Sequence, residues 1–189
     1  MKIKQKYKLQ HVVIPKWKRK IKQCAFMSCN KLKSVVMSDK VVTIGDSAFF
    51  YCESLENIQL SNKLESIGEY AFEGCSSLKK INISSSVNEI GQGAFCDCES
   101  ITELAFPDGI TILNIGVCFS SEKLECVTIP KSVTKIDFYA FANCDSLRKI
   151  IYNGTIDDWN KIDIDSEAFD DDNKQLVVEF ASGEIMLMN

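Results

Sequence analysis

Apolar and polar positions alternate at every second residue in several short stretches, such as Ile58-Gln59-Leu60, Ile81-Asn82-Ile83 and Val127-Thr128-Ile129. The alternation predicts short strands with one buried face, because successive side chains of a strand point to opposite sides. A Ser or Pro follows such stretches at Ser61, Ser84, Pro107 and Pro130. A proline ends a strand there, since it has no N–H to donate to a ladder. The chain is therefore predicted to be mainly β.

The same pattern returns every 23 residues along most of the chain. An Ala-Phe pair recurs at Ala25-Phe26, Ala48-Phe49, Ala71-Phe72, Ala94-Phe95 and Ala140-Phe141. A cysteine lies three residues after each of these Phe residues, at Cys29, Cys52, Cys75, Cys98 and Cys144. The consensus is I-G-x-x-A-F-x-x-C-x-x-L-x-x-I-x-I-[PS]-x-x-V-x-x, and a self-similar unit of this length indicates a repeat architecture.

One unit cannot bury its own apolar face, so successive units must stack as a solenoid. At about 4.8 Å per strand, six or seven turns give an array on the order of 30 Å long. Stacking aligns equivalent residues, which predicts an aromatic ladder of the five Phe residues inside the core. The predicted fold is a mainly β solenoid of about six to seven 23-residue turns, with short strands and short helical or irregular connections.

Two units depart from the consensus. The fifth has Val117-Cys118 in place of Ala-Phe and Ser121 in the cysteine column, so a locally repacked turn is expected. The first has Lys18 and Lys22 at the apolar and glycine positions, as a solvent-facing cap would. The predicted organisation is a basic cap and partial repeat over 1–24, repeats over 25–152, and an acidic loop with a closing hairpin over 153–189.

The repeat unit resembles that of the BspA-type leucine-rich repeat family, found on bacterial and some protozoan surfaces. Ile67-Gly68, Ala71-Phe72, Cys75 and Leu78 carry the resemblance, and residues 152–159 resemble the segment that often closes such arrays. The resemblance implies a leucine-rich-repeat solenoid. For function it implies a non-enzymatic protein-binding module of adhesin or interaction type, placed on the cell surface or secreted.

Charge is distributed unevenly along the chain, although the net charge is only −4. Residues 1–38 contain eleven Lys and Arg and no Asp or Glu, whereas the remainder carries −15. The basic end is defined by Lys16, Trp17, Lys18, Arg19 and Lys20. Basic residues with an aromatic could bind nucleic acid, an anionic membrane surface or an acidic protein. Alternatively, they form a solvated cap that prevents solenoids from stacking end to end.

Candidate chemistry is sparse. Neighbouring cysteines of the column could lie within disulfide range, but parallel side chains favour small buried apolar residues instead. A zinc site from Cys24, Cys29, Cys96 and Cys98 would have only His11 in addition, and two of these cysteines already belong to the core column. No cofactor is predicted.

Catalysis and calcium binding are also weakly supported. His11 is the single histidine, and nothing indicates a partner for acid–base or nucleophilic chemistry. The sequence Asp163-x-Asp165-x-Glu167 lacks the central Gly of a calcium loop, so a solvated acidic loop is preferred. The chain is predicted not to be an enzyme.

The outward positions of the predicted strands are the candidate binding surface, because solenoids expose an extended sheet. This exposed strand row comprises Val36, Gln59, Asn82, Ala105, Thr128 and Ile151, flanked by Lys80, Glu103 and Lys149. Its mixed character suits a protein partner better than a nucleic acid. The alternative is an intracellular inhibitor or adaptor that uses the basic end to bind nucleic acid or an acidic protein.

Localisation differs between the two lines of reasoning. No run of 18 apolar residues exists, so no membrane span is predicted. The lysine-rich beginning has no apolar signal core, which favours a cytoplasmic protein for the sequence as written. The family resemblance favours the cell surface or secretion.

Overall fold

The computed structural model describes residues 8–170 and 176–188. Over these residues the chain is a β-solenoid whose short strands form two columns. The first column contains β1 (His11–Val13), β3 (Ser34–Val36), β5 (Asn57–Gln59), β8 (Glu103–Ala105), β10 (Cys126–Ile129), β12 (Lys149–Tyr152), β14 (Val177–Phe180) and β15 (Ile185–Leu187). The second contains β2 (Lys20–Ile21), β4 (Thr43–Ile44), β6 (Ser66–Ile67), β7 (Glu89–Ile90), β9 (Ile112–Leu113), β11 (Lys135–Ile136) and β13 (Asp163–Ile164). A short helix, α1 (Ile156–Trp159), precedes β13.

Neighbouring strands of a column pair in parallel with partners one turn apart, except that among the described residues no ladder joins β5 to β8 or β7 to β9. Val12, Val35 and Ile58 are partners across β1, β3 and β5, at the predicted spacing of 23 residues. β15 runs antiparallel to its partner β14, to which it is joined by a turn at Gly183. The predicted solenoid fold is confirmed.

The aromatic ladder fills the interior. Adjacent rings of Phe26, Phe49, Phe72 and Phe95 are stacked, with centroids 5.2, 5.3 and 5.7 Å apart. Phe49, Phe72 and Phe95 are fully buried, whereas Phe26, which stacks on Phe49 from the N-terminal side, is half-buried. Offset stacking at such distances adds to the burial of each ring.

The fifth turn interrupts this ladder. Cys118 occupies the Phe position and is fully buried. The ring of Phe106 packs edge-on against Phe141 at 6.4 Å, and Phe141 stacks on Phe169 at 5.2 Å. The shorter thiol leaves space, and an aromatic side chain from the strand side contributes to filling it.

The cysteine column stabilises the backbone as well as filling the core. The Sγ atom of Cys52 donates to the Phe26 carbonyl at 3.1 Å, and Cys75 donates to Phe49 at 3.3 Å. In the fifth turn the Ser121 hydroxyl donates to Phe95 at 2.9 Å. A buried carbonyl needs a partner, so serine replaces cysteine here with the same role. The sequence analysis assigned these thiols to packing alone.

The prediction of a strand at Ile81-Asn82-Ile83 is wrong. Ile81 is buried and Asn82 exposed as expected, but in the described residues no ladder joins this stretch to β5 or β8. The adjacent hydroxyl groups of Ser84 and Ser86 instead donate to the Asn62 carbonyl of the preceding turn. Such side-chain bonds to the backbone compete with sheet formation.

The array continues after residue 152, where the 23-residue period ends. β13 pairs with β11 and β14 pairs with β12, with partners 28 residues apart. The longer turn accommodates α1, whose N-terminus is capped by reciprocal bonds between Thr155 and Asp158. Hydrogen bonds from Lys131 and Thr155 lower the pKa of the Asp158 carboxyl. This last turn buries Trp159 edge-on against Tyr152 and Phe180.

Candidate functional site

The exposed strand row lies on the outer face of the first strand column. Val36 and Gln59 are Cα partners, as are Ala105, Thr128 and Ile151 in the later turns. The first four members, including Asn82, are exposed, and Thr128 and Ile151 are half-buried. The row extends further than the sequence analysis proposed, since Val13 precedes Val36 in register and is 74% exposed.

Charged residues flank this row in its C-terminal half. Glu103, Cys126 and Lys149 are aligned across β8, β10 and β12. Lys149 forms an ion pair with Glu179, which raises the pKa of the Lys149 ammonium. Burial raises the pKa of the Cys126 thiol, so the thiol is neutral at physiological pH. Lys80 and Glu103 are exposed, which leaves the row with charges of both signs beside it.

The basic end forms a cationic surface on the first turn. Its five members are all exposed, and the Trp17 side chain is 79% exposed. None of the ion pairs among the described residues involves Lys16, Lys18, Arg19 or Lys20. Residues 1–7 of the predicted cap lie outside the described residues.

A second concave surface, which the sequence analysis missed, runs along the second strand column. The glycine groove has a volume of about 510 Å³ and follows Gly45, Gly68 and Gly91 from turn to turn. Thr43, Ser66 and Glu89 line one side, and Asp46, Glu69 and Gln92 line the other. Asn114 and Asp137 occupy the glycine position of the next two turns and border the groove at that end.

The glycines of this groove are required by close contact between turns. A Cβ atom on Gly68 would lie 2.5 Å from Oδ1 of Asp46 and 2.6 Å from its backbone nitrogen. That same Asp46 oxygen accepts the Glu69 N–H at 3.1 Å, so the carboxylate bridges two turns. The Ile-Gly pair of the consensus therefore reflects the packing of one backbone on another.

The groove is acidic. Its lining includes the carboxylates of Asp46, Glu69, Glu89 and Asp137 and contains no Lys, Arg or His. Lys135 pairs with Asp137 at 3.3 Å. No ion pair among the described residues involves the other three carboxylates.

Other predicted or possible chemical groups do not converge. His11 is exposed, with its Nδ1 atom 2.8 Å from the Ser34 hydroxyl. Asp165 accepts the Glu167 N–H at 2.9 Å, while Asp163 points from an exposed strand position. In the described part of the chain, the one group of three potential metal ligands that meets within 4.8 Å is Glu73, Cys96 and Asp97. Asp171 and Asp172 of the acidic loop lie outside that part.

No disulfide joins the nine cysteines, all of which lie within the described ranges. Burial raises the pKa of the Cys75 and Cys144 thiols to about 12. Such thiols remain protonated and unreactive at neutral pH. No described helix has the length and apolar character needed to cross a membrane.

Comparisons with known proteins agree with the repeat architecture. The model of the BspA type leucine rich repeat region matches residues 3–117 and 115–175, in six copies. No curated protein matches the chain. A leucine rich repeat protein of T. pallidum is 27% identical with a TM-score of 0.71, and the alignment covers 79% of this chain and 75% of that one.

Two further solved structures are larger than this chain. A leucine-rich repeat protein from Bacteroides ovatus is 30% identical with a TM-score of 0.70, over 75% of this chain and 39% of its own. A leucine rich cell surface protein from Faecalibacterium prausnitzii is 36% identical with a TM-score of 0.58, over 83% of this chain and 35% of its own. The chain thus spans less than half the length of these two proteins.

Proposed function

The chain belongs to the BspA-type leucine-rich repeat family, and we propose that it is a protein-binding module that uses the exposed strand row. Leucine-rich repeat proteins typically bind proteins, and their fold is generally non-enzymatic. The observation that carries the proposal is an outward-facing row, aligned in register from Val36 to Gln59 and from Ala105 to Ile151, whose residues differ from turn to turn above a largely repeated core.

The composition of the row supports a protein partner. Val13, Val36 and Ala105 supply exposed apolar area, and Gln59 and Asn82 supply amide donors and acceptors. Protein interfaces combine apolar contacts with about one hydrogen bond per 100–200 Å² in this way. Parallel ladders hold all of these side chains except Asn82 on a rigid surface, so little entropy is lost when a partner binds.

An adhesin or surface-interaction role is the finer form of the proposal. It is supported by the similarity to the Faecalibacterium prausnitzii protein, which is described as a leucine rich cell surface protein. Because the present chain spans only part of that protein, the role of the whole molecule is a separate matter.

The test is a comparison of two surface variants with nearly equal exposure. Val36 in the row is 38% exposed, and Ile112 on the second column is 41% exposed. We expect Val36→Glu combined with Ala105→Glu to lose the proteins that the unmodified chain captures from cells or from host surface extracts. Ile112→Glu should retain them. Equal capture by both variants would exclude the row as the binding surface.

A second candidate function is an inhibitor or adaptor that uses the basic end. The exposed cations without ion pairs and the exposed Trp17 favour it. If this end binds nucleic acid, affinity for duplex DNA should fall with salt by about 0.9 in log K per log salt for each phosphate neutralised. Replacing Lys18, Arg19 and Lys20 by Ser should flatten that slope by up to about three.

The matched control replaces three exposed lysines elsewhere, Lys63, Lys79 and Lys123, by Ser. It removes the same net charge and should keep most of the dependence of log K for DNA binding on log salt concentration. A basic-end variant that binds DNA as the unmodified chain does at every salt concentration would exclude this function and leave a cap.

A further inference from the structure

One row of Cα partners along the second strand column carries opposite charges at its two ends, and all of its members except Lys20 line the glycine groove. Lys20, Thr43, Ser66 and Glu89 are Cα partners in successive strands of the second column. The lysine and the glutamate are exposed, and the two small residues between them are half-buried. Three strand spacings of about 4.8 Å separate the charged ends by roughly 14 Å.

This order of residues is complementary to its own reverse. A second copy turned end for end would present Glu89 to Lys20 and Ser66 to Thr43. A two-fold axis that lies in the interface, perpendicular to the array, produces this alignment and forms every contact twice. We propose that two copies of the chain associate antiparallel across their glycine grooves, with Lys20 of each copy paired with Glu89 of the other.

The row that contains the glycines also faces its own reverse in this alignment. Lys22 lies in the same row as Gly45, Gly68 and Gly91, and it is exposed. The reversed copy brings its Lys22 onto Gly91, beside Glu89. The lining of the groove contains no cation, so Lys20 and Lys22 of the second copy supply positive charge, although that copy also brings its own acidic groove.

Apolar area and like charges set the strength of the contact. Ile112, one turn beyond Glu89, is 41% exposed and lies towards the end of the other copy that carries the exposed Trp17. Asp46 faces Glu69 of the other copy, and this repulsion opposes the lysine contacts. The interface spans about four turns, which is small for a stable dimer. The association is therefore weak and strongly dependent on salt.

The experiment is sedimentation velocity of the purified chain over a concentration series, at about 20 mM and about 500 mM salt, where the screening lengths differ severalfold. We expect a monomer–dimer equilibrium at low salt that shifts to monomer at high salt. Lys20→Glu and Glu89→Lys should each raise the dimer dissociation constant on the order of tenfold, because each replaces two attractions by two repulsions.

The decisive variant combines both reversals in one chain. Lys20→Glu with Glu89→Lys restores complementarity, so it should dimerise again and should also be salt-sensitive. Lys123→Glu with Glu99→Lys reverses exposed charges at other positions and should leave the dissociation constant unchanged. Circular dichroism of each variant establishes that it is folded.

Two results would overturn the proposal. One is a chain that stays monomeric at low salt over the whole concentration series, even if a lysine-rich synthetic peptide binds to it. That result would assign the groove to a basic segment of another protein. The other is a double reversal that remains as weak as the single variants. Both are independent of whether the strand row binds a protein.

Discussion

The two faces of the first strand column have opposite kinds of variation. Inward residues Val35, Leu104, Val127 and Ile150 are all aliphatic and buried, and the phenylalanines behind them recur in successive turns, with Cys118 of the fifth turn as the exception. The outward neighbours are a valine, a glutamine, an asparagine, an alanine, a threonine and an isoleucine. Stacking imposes one geometry on every turn, so the interior repeats. The outer face is under no such constraint and can differ in each turn.

The largest effect that separates these faces is expected for Phe72→Ala. Phe72 is fully buried and stacked on both Phe49 and Phe95. We expect a loss of about 3–5 kcal/mol in the free energy of unfolding, measured by denaturant melts, as for other buried aromatics. A loss under roughly 1 kcal/mol would mean that the ladder does not stabilise the array.

Gly68→Ala should lower the free energy of unfolding by less than Phe72→Ala does. The added methyl group would meet Asp46 at 2.5 Å, so the carboxylate and the adjoining backbone must move. We expect about 1–3 kcal/mol, as for other overpacked positions. Val36→Ala, at an exposed position of the first strand column, is the control and should change stability by under about 0.5 kcal/mol. A Gly68→Ala protein of unchanged stability would show that the turns can separate there.

A smaller effect tests the hydrogen bonds of the cysteine column. Ser121→Ala removes the hydroxyl that donates to the buried Phe95 carbonyl and should cost about 1 kcal/mol. Ser121→Cys introduces the donor that the other turns use, so it should retain most of that stability. If the two variants lost equal stability, the thiol-to-carbonyl bonds would contribute only packing.

The smallest effect is expected on the outer face. Gln59→Ala removes an exposed side chain and should change the free energy of unfolding by under about 0.5 kcal/mol. It should nevertheless reduce the affinity for a protein partner captured by the row. A stability loss comparable to that of Phe72→Ala would mean that the outer face also maintains the fold.

Sequence alone was sufficient for the features that repeat. The Ala-Phe pairs and the 23-residue spacing predicted the solenoid. The alternation of apolar and polar residues predicted that the side chains of Val36 and Gln59 point outward. The last turn was missed because its 28-residue length, with α1 inserted, does not appear at an offset of 23. The break at Ile81-Asn82-Ile83 was missed because its apolar and polar residues alternate as they do in the strands.

The glycine groove could not be predicted for a different reason. The constant spacing of the Ile-Gly pairs describes each turn separately. The groove arises only when Gly45, Gly68 and Gly91 align between turns. The self-complementary charges of Lys20 and Glu89 likewise require the register of the second strand column.

The most direct test of the account is a hydrogen-exchange footprint of the chain bound to a captured protein partner. If the outer face of the first column is the binding surface, binding should slow exchange in β3, β5, β8, β10 and β12, with little change at the corners that hold the Ala-Phe pairs. Peptides of the second column should likewise be unaffected. Protection centred on the corners or on the second column, with none in the first, would contradict the assignment of binding to the exposed strand row.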